Sequence, residues 1–166
     1  GVSMGRTGLT EAAAKKAGFN VETIVVAADD KAHYYPGSEK MMMKLICDRD
    51  THKLLGMQAL GNWAVDKMTD IAVTAISMGA ALEELQSCDF AYAPPFSTAI
   101  HPFAVAVNAL LNKLSGKLES FTPAQYAAGE AEDYTMLDVS IQPAFQNVPP
   151  HPAQPGERST GGLPPG

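Results

Sequence analysis

Two apolar runs separated by a short polar connection constrain the fold more than any other feature of this sequence. The first run is Met41–Cys47 and the second is Leu54–Leu60, with Asp48–His52 between them. This pattern predicts a β-hairpin. Side chains alternate along a strand, so each arm has two distinct faces. On the first arm, one face carries Met41, Met43, Leu45 and Cys47, and the other carries Met42, Lys44 and Ile46.

The segments on either side of the hairpin predict further strands and helices. A strand is predicted at Val21–Ala28, and Val2–Leu9 is predicted to be either a short strand or an extended entry, with a helix from Thr10 to Gly18 between the two segments. After the hairpin, apolar and polar spacing predicts three helices: a long one capped by Asn62 and ended by Gly79, a short one at Leu82–Leu85, and a last one from about Pro102 to Leu114. The order predicts an α+β fold, with helices packed on an antiparallel sheet of about four to five strands.

Charge and composition exclude several kinds of partner. The 166 residues carry a formal net charge of −6, and because phosphate binding needs a clustered basic face, we expect no nucleic-acid partner. No stretch approaches the ~18 apolar residues of a membrane span, and no signal peptide is expected. Cys47 and Cys88 are too far apart for a CxxC motif or a zinc framework. They indicate reduced cysteines in a cytoplasmic protein. The start at Gly1 suggests a chain cut from a longer one.

The last fifty residues differ in composition from the rest. Most of the prolines lie after Gly116, and the chain ends in a glycine- and proline-rich stretch. The sequence therefore predicts an apolar domain over residues 1–115 and a separate segment over 116–139. Residues 140–166 are expected to be disordered.

Self-contained catalytic motifs are absent from the sequence. It contains no GxGxxG, no GxxxxGK[ST] and no GxSxG motif, and its four histidines lack metal-binding spacing. No metal site is expected. Two aromatic motifs remain: Tyr34-Tyr-Pro-Gly37, which predicts a type II turn, and Tyr92-Ala-Pro-Pro-Phe96, whose prolines enforce an extended chain. Either motif could equally be a purely structural turn or connector, and spacing alone does not bring the two together.

These motifs carry a family resemblance. Together with the segments Val2–Glu11 and Leu55–Gly61, they resemble the C-terminal dimerisation domain of FAD-dependent pyridine nucleotide-disulfide oxidoreductases. The branch that they resemble most includes the coenzyme A-disulfide reductases and NADH oxidases. The resemblance covers residues 1 to about 115.

The resemblance implies a homodimer in which each subunit has an FAD domain and an NAD(P)H domain upstream of this interface domain. It implies that Tyr34 and Tyr92 approach the partner's cysteine–coenzyme A mixed disulfide, where a phenol can donate a hydrogen bond to a developing thiolate. Pro94 and Phe96 are expected near the partner's FAD. The sequence departs from the family at His101, where an acidic residue often precedes the helix-opening proline.

The segment Phe121–Val139 resembles the opening of a rhodanese domain, and that resemblance stops after Val139. The expected function is that of an interface domain in NAD(P)H-driven reduction of coenzyme A disulfide, persulfide or polysulfide. The domain is expected to bind no cofactor and to catalyse nothing alone. The alternatives are an NADH oxidase or peroxidase, a free-standing dimerisation module and, with less support, an intact small enzyme.

Overall fold

Four strands form one antiparallel sheet in the computed structural model, which describes residues 1–135 and Leu137. They are β1 (Ser3–Gly8), β2 (Val21–Asp29), β3 (Lys40–Asp48) and β4 (Leu54–Gly61). Their spatial order is β1-β4-β3-β2, and each neighbouring pair is antiparallel. The predicted hairpin is therefore the centre of the sheet, and the two outer strands pair with its arms.

The part of the chain that the structure describes also contains five helices: α1 (Glu11–Lys16), α2 (Val65–Met78), α3 (Leu82–Gln86), α4 (Pro102–Leu114) and α5 (Pro123–Ala127). Helix α2 packs on β4 and β1, and α4 packs on β2 and β3. The α+β fold predicted from the sequence is thus confirmed. Within the described residues, no helix is long and apolar enough to cross a bilayer.

The core lies between the sheet and helices α2 and α4. As predicted, Met41, Met43, Leu45 and Cys47 are all buried, whereas Met42 on the opposite face is exposed. Ile46 is also buried although it lies on the second face. It pairs with Gly56, and at Gly56 the chain leading into α1 crosses that face through the backbone of Leu9.

Most predicted helix boundaries agree with the structure, but the cap proposed for the long helix is wrong. The Oγ1 of Thr10 accepts from the amide of Ala13 and caps α1, and Gly79 ends α2 in a left-handed conformation. Asn62 does not cap α2. The helix starts three residues later, after Ala64 with a φ of 60°, and the side-chain amide of Asn62 donates instead to Glu39.

The structure divides into two units, residues 1–130 and residues 131–166. In the second unit, the described residues include a turn in which the amide of Tyr134 donates to the carbonyl of Ala131. The predicted disordered segment, 140–166, lies outside the described residues. The boundaries at 115 and 139, and the rhodanese-like segment, remain predictions.

Candidate functional site

The motif Tyr34-Tyr-Pro-Gly37 lies in the β2–β3 loop, residues 30–39, and forms the predicted turn. The amide of Ser38 donates to the carbonyl of Tyr35 over 3.1 Å, and Gly37 has a φ of 75°. Proline at the second turn position presets φ and glycine at the third accepts a positive φ. The chain therefore reverses immediately after the two tyrosines.

The second motif lies in the α3–α4 loop, residues 87–101. The amides of Phe96 and Ser97 both donate to the carbonyl of Ala93, over 2.9 and 3.1 Å. Proline has no N–H to donate, so the turn is closed by the two residues that follow the proline pair. This turn presents Tyr92 and Phe96 from one short, stiff segment.

The two loops meet in the structure. The amide of Ala32 in the β2–β3 loop donates to the carbonyl of Pro94 over 3.1 Å. The hydroxyl groups of Tyr34 and Tyr92 also interact, and this interaction raises the pKa of Tyr92. The structure thus joins two predicted site residues that lie fifty-eight positions apart in the sequence.

The aromatic side chains of these loops face solvent. Tyr34 is 67% exposed, Tyr92 51% and Phe96 71%, whereas Pro94 is only partly exposed. Rings that served only to fill the core would be buried. A group of exposed aromatic side chains at adjoining loops is typical of a surface that contacts another molecule.

Sequence reasoning missed Trp63, which lies in the connection between β4 and α2. Its ring is 60% exposed, and the Nζ of Lys31 lies 5.3 Å from its centroid. Lys31 also pairs with Asp30 over 3.2 Å. The available signal was the single tryptophan of the chain, next to a glycine and an asparagine that follow an apolar strand.

His101 closes the α3–α4 loop and begins α4. Its Nδ1 accepts a hydrogen bond from the amide of Phe103, and its ring stacks on Phe90 at 4.4 Å between centroids. The histidine therefore caps the helix in place of the acidic residue common in the family. Burial, and secondarily the positive charge of Lys67, lowers the pKa of His101 from 6.5 to about 4.

This lowered pKa predicts a loss of stability in mild acid. Between pH 6.5 and 4 the unfolded chain protonates His101 and the folded chain does not, so stability falls as pH falls through that window. Between pH 7 and 5 we expect a loss of roughly 2 kcal/mol from this residue. Urea unfolding at the two pH values should show the loss in the wild-type chain and little of it in His101→Asn. Carboxylates titrate in both proteins, so their contribution cancels when the pH dependence of His101→Asn is subtracted from that of the wild-type chain. Equal pH dependence in both would contradict the assignment.

The buried cysteine, Cys47, does not provide a reactive thiol. Both cysteines are free, with Cys47 buried and Cys88 exposed. Burial raises the pKa of Cys47 to about 12, so its thiol stays protonated and a poor nucleophile. Among residues 1–135 and 137, no group of three histidine, cysteine or acidic side chains could hold a metal ion.

An apolar groove of about 790 Å³ lies beside the α3–α4 loop, between α2 and α3. Its apolar lining includes Ile71, Met78, Leu85 and Phe90. Met78 is 80% exposed, and Phe90 also belongs to the α3–α4 loop. The groove therefore borders the loop that carries Tyr92.

Comparison with known proteins decides the family. Residues 1–104 match the model of the family described as "pyridine nucleotide-disulphide oxidoreductase, dimerisation domain". The chain belongs to this family. The family comprises FAD- and NAD(P)H-dependent oxidoreductases, so the resemblance seen in the sequence is confirmed for this domain.

Individual relatives in this family include sulfur reductases and oxidases. The chain is 38% identical over 109 residues to an NAD(P)H sulfur oxidoreductase (CoA-dependent) of Pyrococcus furiosus, covering 66% of this chain and 24% of the relative. It is 34% identical over 116 residues to an NADH oxidase of Methanocaldococcus jannaschii, covering 70% and 26%. The solved structure of an NAD-dependent persulfide reductase from A. fulgidus matches with a TM-score of 0.71 and 34% identity, covering 72% and 22%. The chain thus spans about a quarter of the length of the curated relatives that it matches.

Proposed function

We propose that this chain is the interface domain of a flavin-dependent NAD(P)H:disulfide oxidoreductase, where it mediates homodimerisation and completes the partner subunit's active site. The observation that carries the proposal is the exposed pair Tyr34 and Tyr92, whose two loops are joined by the hydrogen bond from the amide of Ala32 to the carbonyl of Pro94. Two phenol groups held close together at a surface are suited to serve a site on another subunit.

The tyrosines would act as hydrogen-bond donors to sulfur. When a disulfide is reduced, one sulfur leaves as a thiolate, and a donor aimed at that sulfur stabilises the charge that develops there. A donor must keep its proton, and the interaction with Tyr34 raises the pKa of Tyr92. Tyr92 is therefore suited to donate at neutral and mildly basic pH.

The residues proposed to contact flavin fit a flat ring better than a phosphate. Pro94 and Pro95 have no N–H, and Phe96 presents an exposed aromatic side chain. Phosphate binding requires N–H donors or positive charge, whereas apolar and aromatic side chains suit an isoalloxazine ring. FAD, held by its own domain and reduced by NAD(P)H, would supply the electrons. Pro94 and Phe96 would cover part of its site.

The groove between α2 and α3 supports a dimer contact next to the tyrosines. Contiguous exposed apolar surface is typical of protein interfaces, and Phe90 connects this groove to the α3–α4 loop. A second subunit packed on the groove would lie directly beside Tyr92. The tyrosines would then face that subunit rather than their own.

The substrate proposed is coenzyme A disulfide or a related persulfide or polysulfide. The support is the similarity to the coenzyme A-dependent sulfur oxidoreductase and to the persulfide reductase. The second candidate is reduction of oxygen, which the similarity to the Methanocaldococcus jannaschii NADH oxidase favours. Phenol donors to sulfur have a role only in the first reaction.

Subunit complementation tests whether the tyrosines act across the dimer. One full-length subunit would carry Tyr34→Phe and Tyr92→Phe, and the other would keep both tyrosines but lose its redox cysteine. If the tyrosines serve the partner, the mixed dimer contains one complete site and regains disulfide reduction that neither homodimer shows. If they serve their own subunit, the mixed dimer contains no complete site. Activity no higher than in the two homodimers would reject the proposal.

A further inference from the structure

The segment that carries Tyr92 has few ways to be held in place. Pro94 and Pro95 have no N–H and cannot donate backbone hydrogen bonds. The turn is therefore anchored by hydrogen bonds that its carbonyl groups accept from donors elsewhere. The carbonyl of Ala93 closes the turn itself. The carbonyl of Pro94 accepts from Ala32, and the carbonyl of Phe96 accepts from a donor outside the two loops.

That donor is Lys67, on the first turn of α2. Its Nζ lies 2.7 Å from the carbonyl oxygen of Phe96. The ammonium is partly buried, and burial lowers its pKa, while the carboxylates of Asp66 and Asp30 raise it. A charged donor makes a stronger hydrogen bond to a carbonyl than a neutral one does. Helix α2 packs on β4 and β1, so the anchor belongs to the rigid part of the domain.

Lys67 also influences the other end of the same loop. Its positive charge contributes to the low pKa of His101, secondary to burial. A neutral His101 keeps Nδ1 free to accept from the amide of Phe103. One lysine thus holds the middle of the α3–α4 loop by a direct contact and places its positive charge near the histidine at the end of that loop.

We propose that Lys67 is a positioning residue for the tyrosine pair: by holding the carbonyl of Phe96, it fixes the α3–α4 loop so that Tyr92 meets Tyr34. This inference deepens the proposed function, on which its catalytic consequence rests. The positioning itself concerns contacts within this chain and can be tested without any enzymatic activity.

The first test is a tyrosine titration on the 166-residue chain, followed by NMR with ring-labelled tyrosine. Lys67→Met keeps the apolar stem and removes the donor, Lys67→Gln is too short to reach, and Lys67→Arg restores a charged donor. Lys16→Met is the matched control, since Lys16 is an exposed lysine on α1. In Lys67→Met and Lys67→Gln, Tyr92 should lose its upward pKa shift. In Lys67→Arg and Lys16→Met, the upward shift in the pKa of Tyr92 should remain.

Circular dichroism and the amide spectrum of the sheet report whether each variant folds. Lys67→Gln supplies the result should Lys67→Met fail to fold. An unchanged Tyr92 titration in a folded variant without the donor would overturn the proposal. A lost shift that Lys67→Arg does not restore would also count against it, because the donor to Phe96 would then not be the cause.

The second test measures turnover of coenzyme A disulfide by the full-length enzyme. Displacing a hydrogen-bond donor reduces the stabilisation of the transition state more than it reduces the affinity for substrate. Lys67→Met should therefore lower kcat roughly tenfold with KM little changed. A shift in the Tyr92 titration together with unchanged turnover would leave the positioning role intact and would refute the proposed function instead. The two failures are therefore distinguishable.

Discussion

Replacing Tyr92 with phenylalanine in the full-length enzyme is expected to slow coenzyme A disulfide reduction roughly 30- to 1000-fold without altering the fold. Loss of one preorganised donor to a developing anion raises a barrier by ~2–4 kcal/mol. Tyr92 is exposed, and phenylalanine keeps the ring, so only the hydroxyl is removed. Steady-state kcat/KM with coenzyme A disulfide, at a pH where the phenol is protonated, measures the effect.

The chain provides a matched control for this substitution. Tyr35 follows Tyr34 in the same turn and is 38% exposed, but it has no assigned role at sulfur, so Tyr35→Phe should leave turnover unchanged. Tyr34→Phe should slow turnover too, because it removes one donor and the hydroxyl that interacts with the other. The double replacement should raise the activation free energy by less than the sum of the two single replacements, since the two hydroxyls interact.

Oxygen provides a second comparison. Reduction of oxygen involves no thiolate leaving group at the tyrosine pair, so its rate should change little in either variant. Disulfide turnover that is unaffected by both Tyr34→Phe and Tyr92→Phe would remove the proposed tyrosine role and leave the family assignment untouched.

The sequence predicted the sheet well because its pattern there is local. The alternation in Met41–Cys47 and the polar connection that follows it determine a hairpin within about twenty residues. The Thr10 cap and the Gly79 stop are equally local, since a cap acts within one helical turn. The prediction that Asn62 caps α2 failed, because the side chain of Asn62 donates to Glu39, twenty-three residues away. A distant partner of this kind leaves no periodic signal.

The candidate site was predictable in its parts but not in its assembly. Tyr34 and Tyr92 came from a family resemblance, and their contact depends on how the β2–β3 and α3–α4 loops pack. Lys67 had no signal at all, because on an exposed helix a lysine is ordinarily a solvated charge. Its relation to Phe96 depends on the distance between α2 and a loop that lies twenty-nine residues further along the chain.

Replacing Gly56 with alanine is the second large effect that we expect, with a loss of about 3 kcal/mol or more in the free energy of unfolding. A Cβ at this position would lie 1.9 Å from the carbonyl oxygen of Leu9 and 2.9 Å from its carbonyl carbon. These are backbone atoms, so no rotamer change can relieve the overlap. The crossing is also fixed, because the amide of Leu9 donates to the carbonyl of Leu55 over 2.8 Å. Overpacking of this kind costs ~1–3 kcal/mol where neighbours can move, and more where they cannot.

Gly61→Ala is the control within the same strand, because its Cβ would lie no closer than 3.2 Å to any atom, the nearest being Cβ of Met41. Urea unfolding followed by circular dichroism should give a clearly lower midpoint for Gly56→Ala than for Gly61→Ala. The edge strand β1 enters α1 through this crossing, so a variant that still folds should do so by displacing β1 from β4. Amide exchange in β1 should then rise before exchange in the β3–β4 hairpin. Equal midpoints for the two alanine variants would mean that Leu9 does not cross the sheet at Gly56.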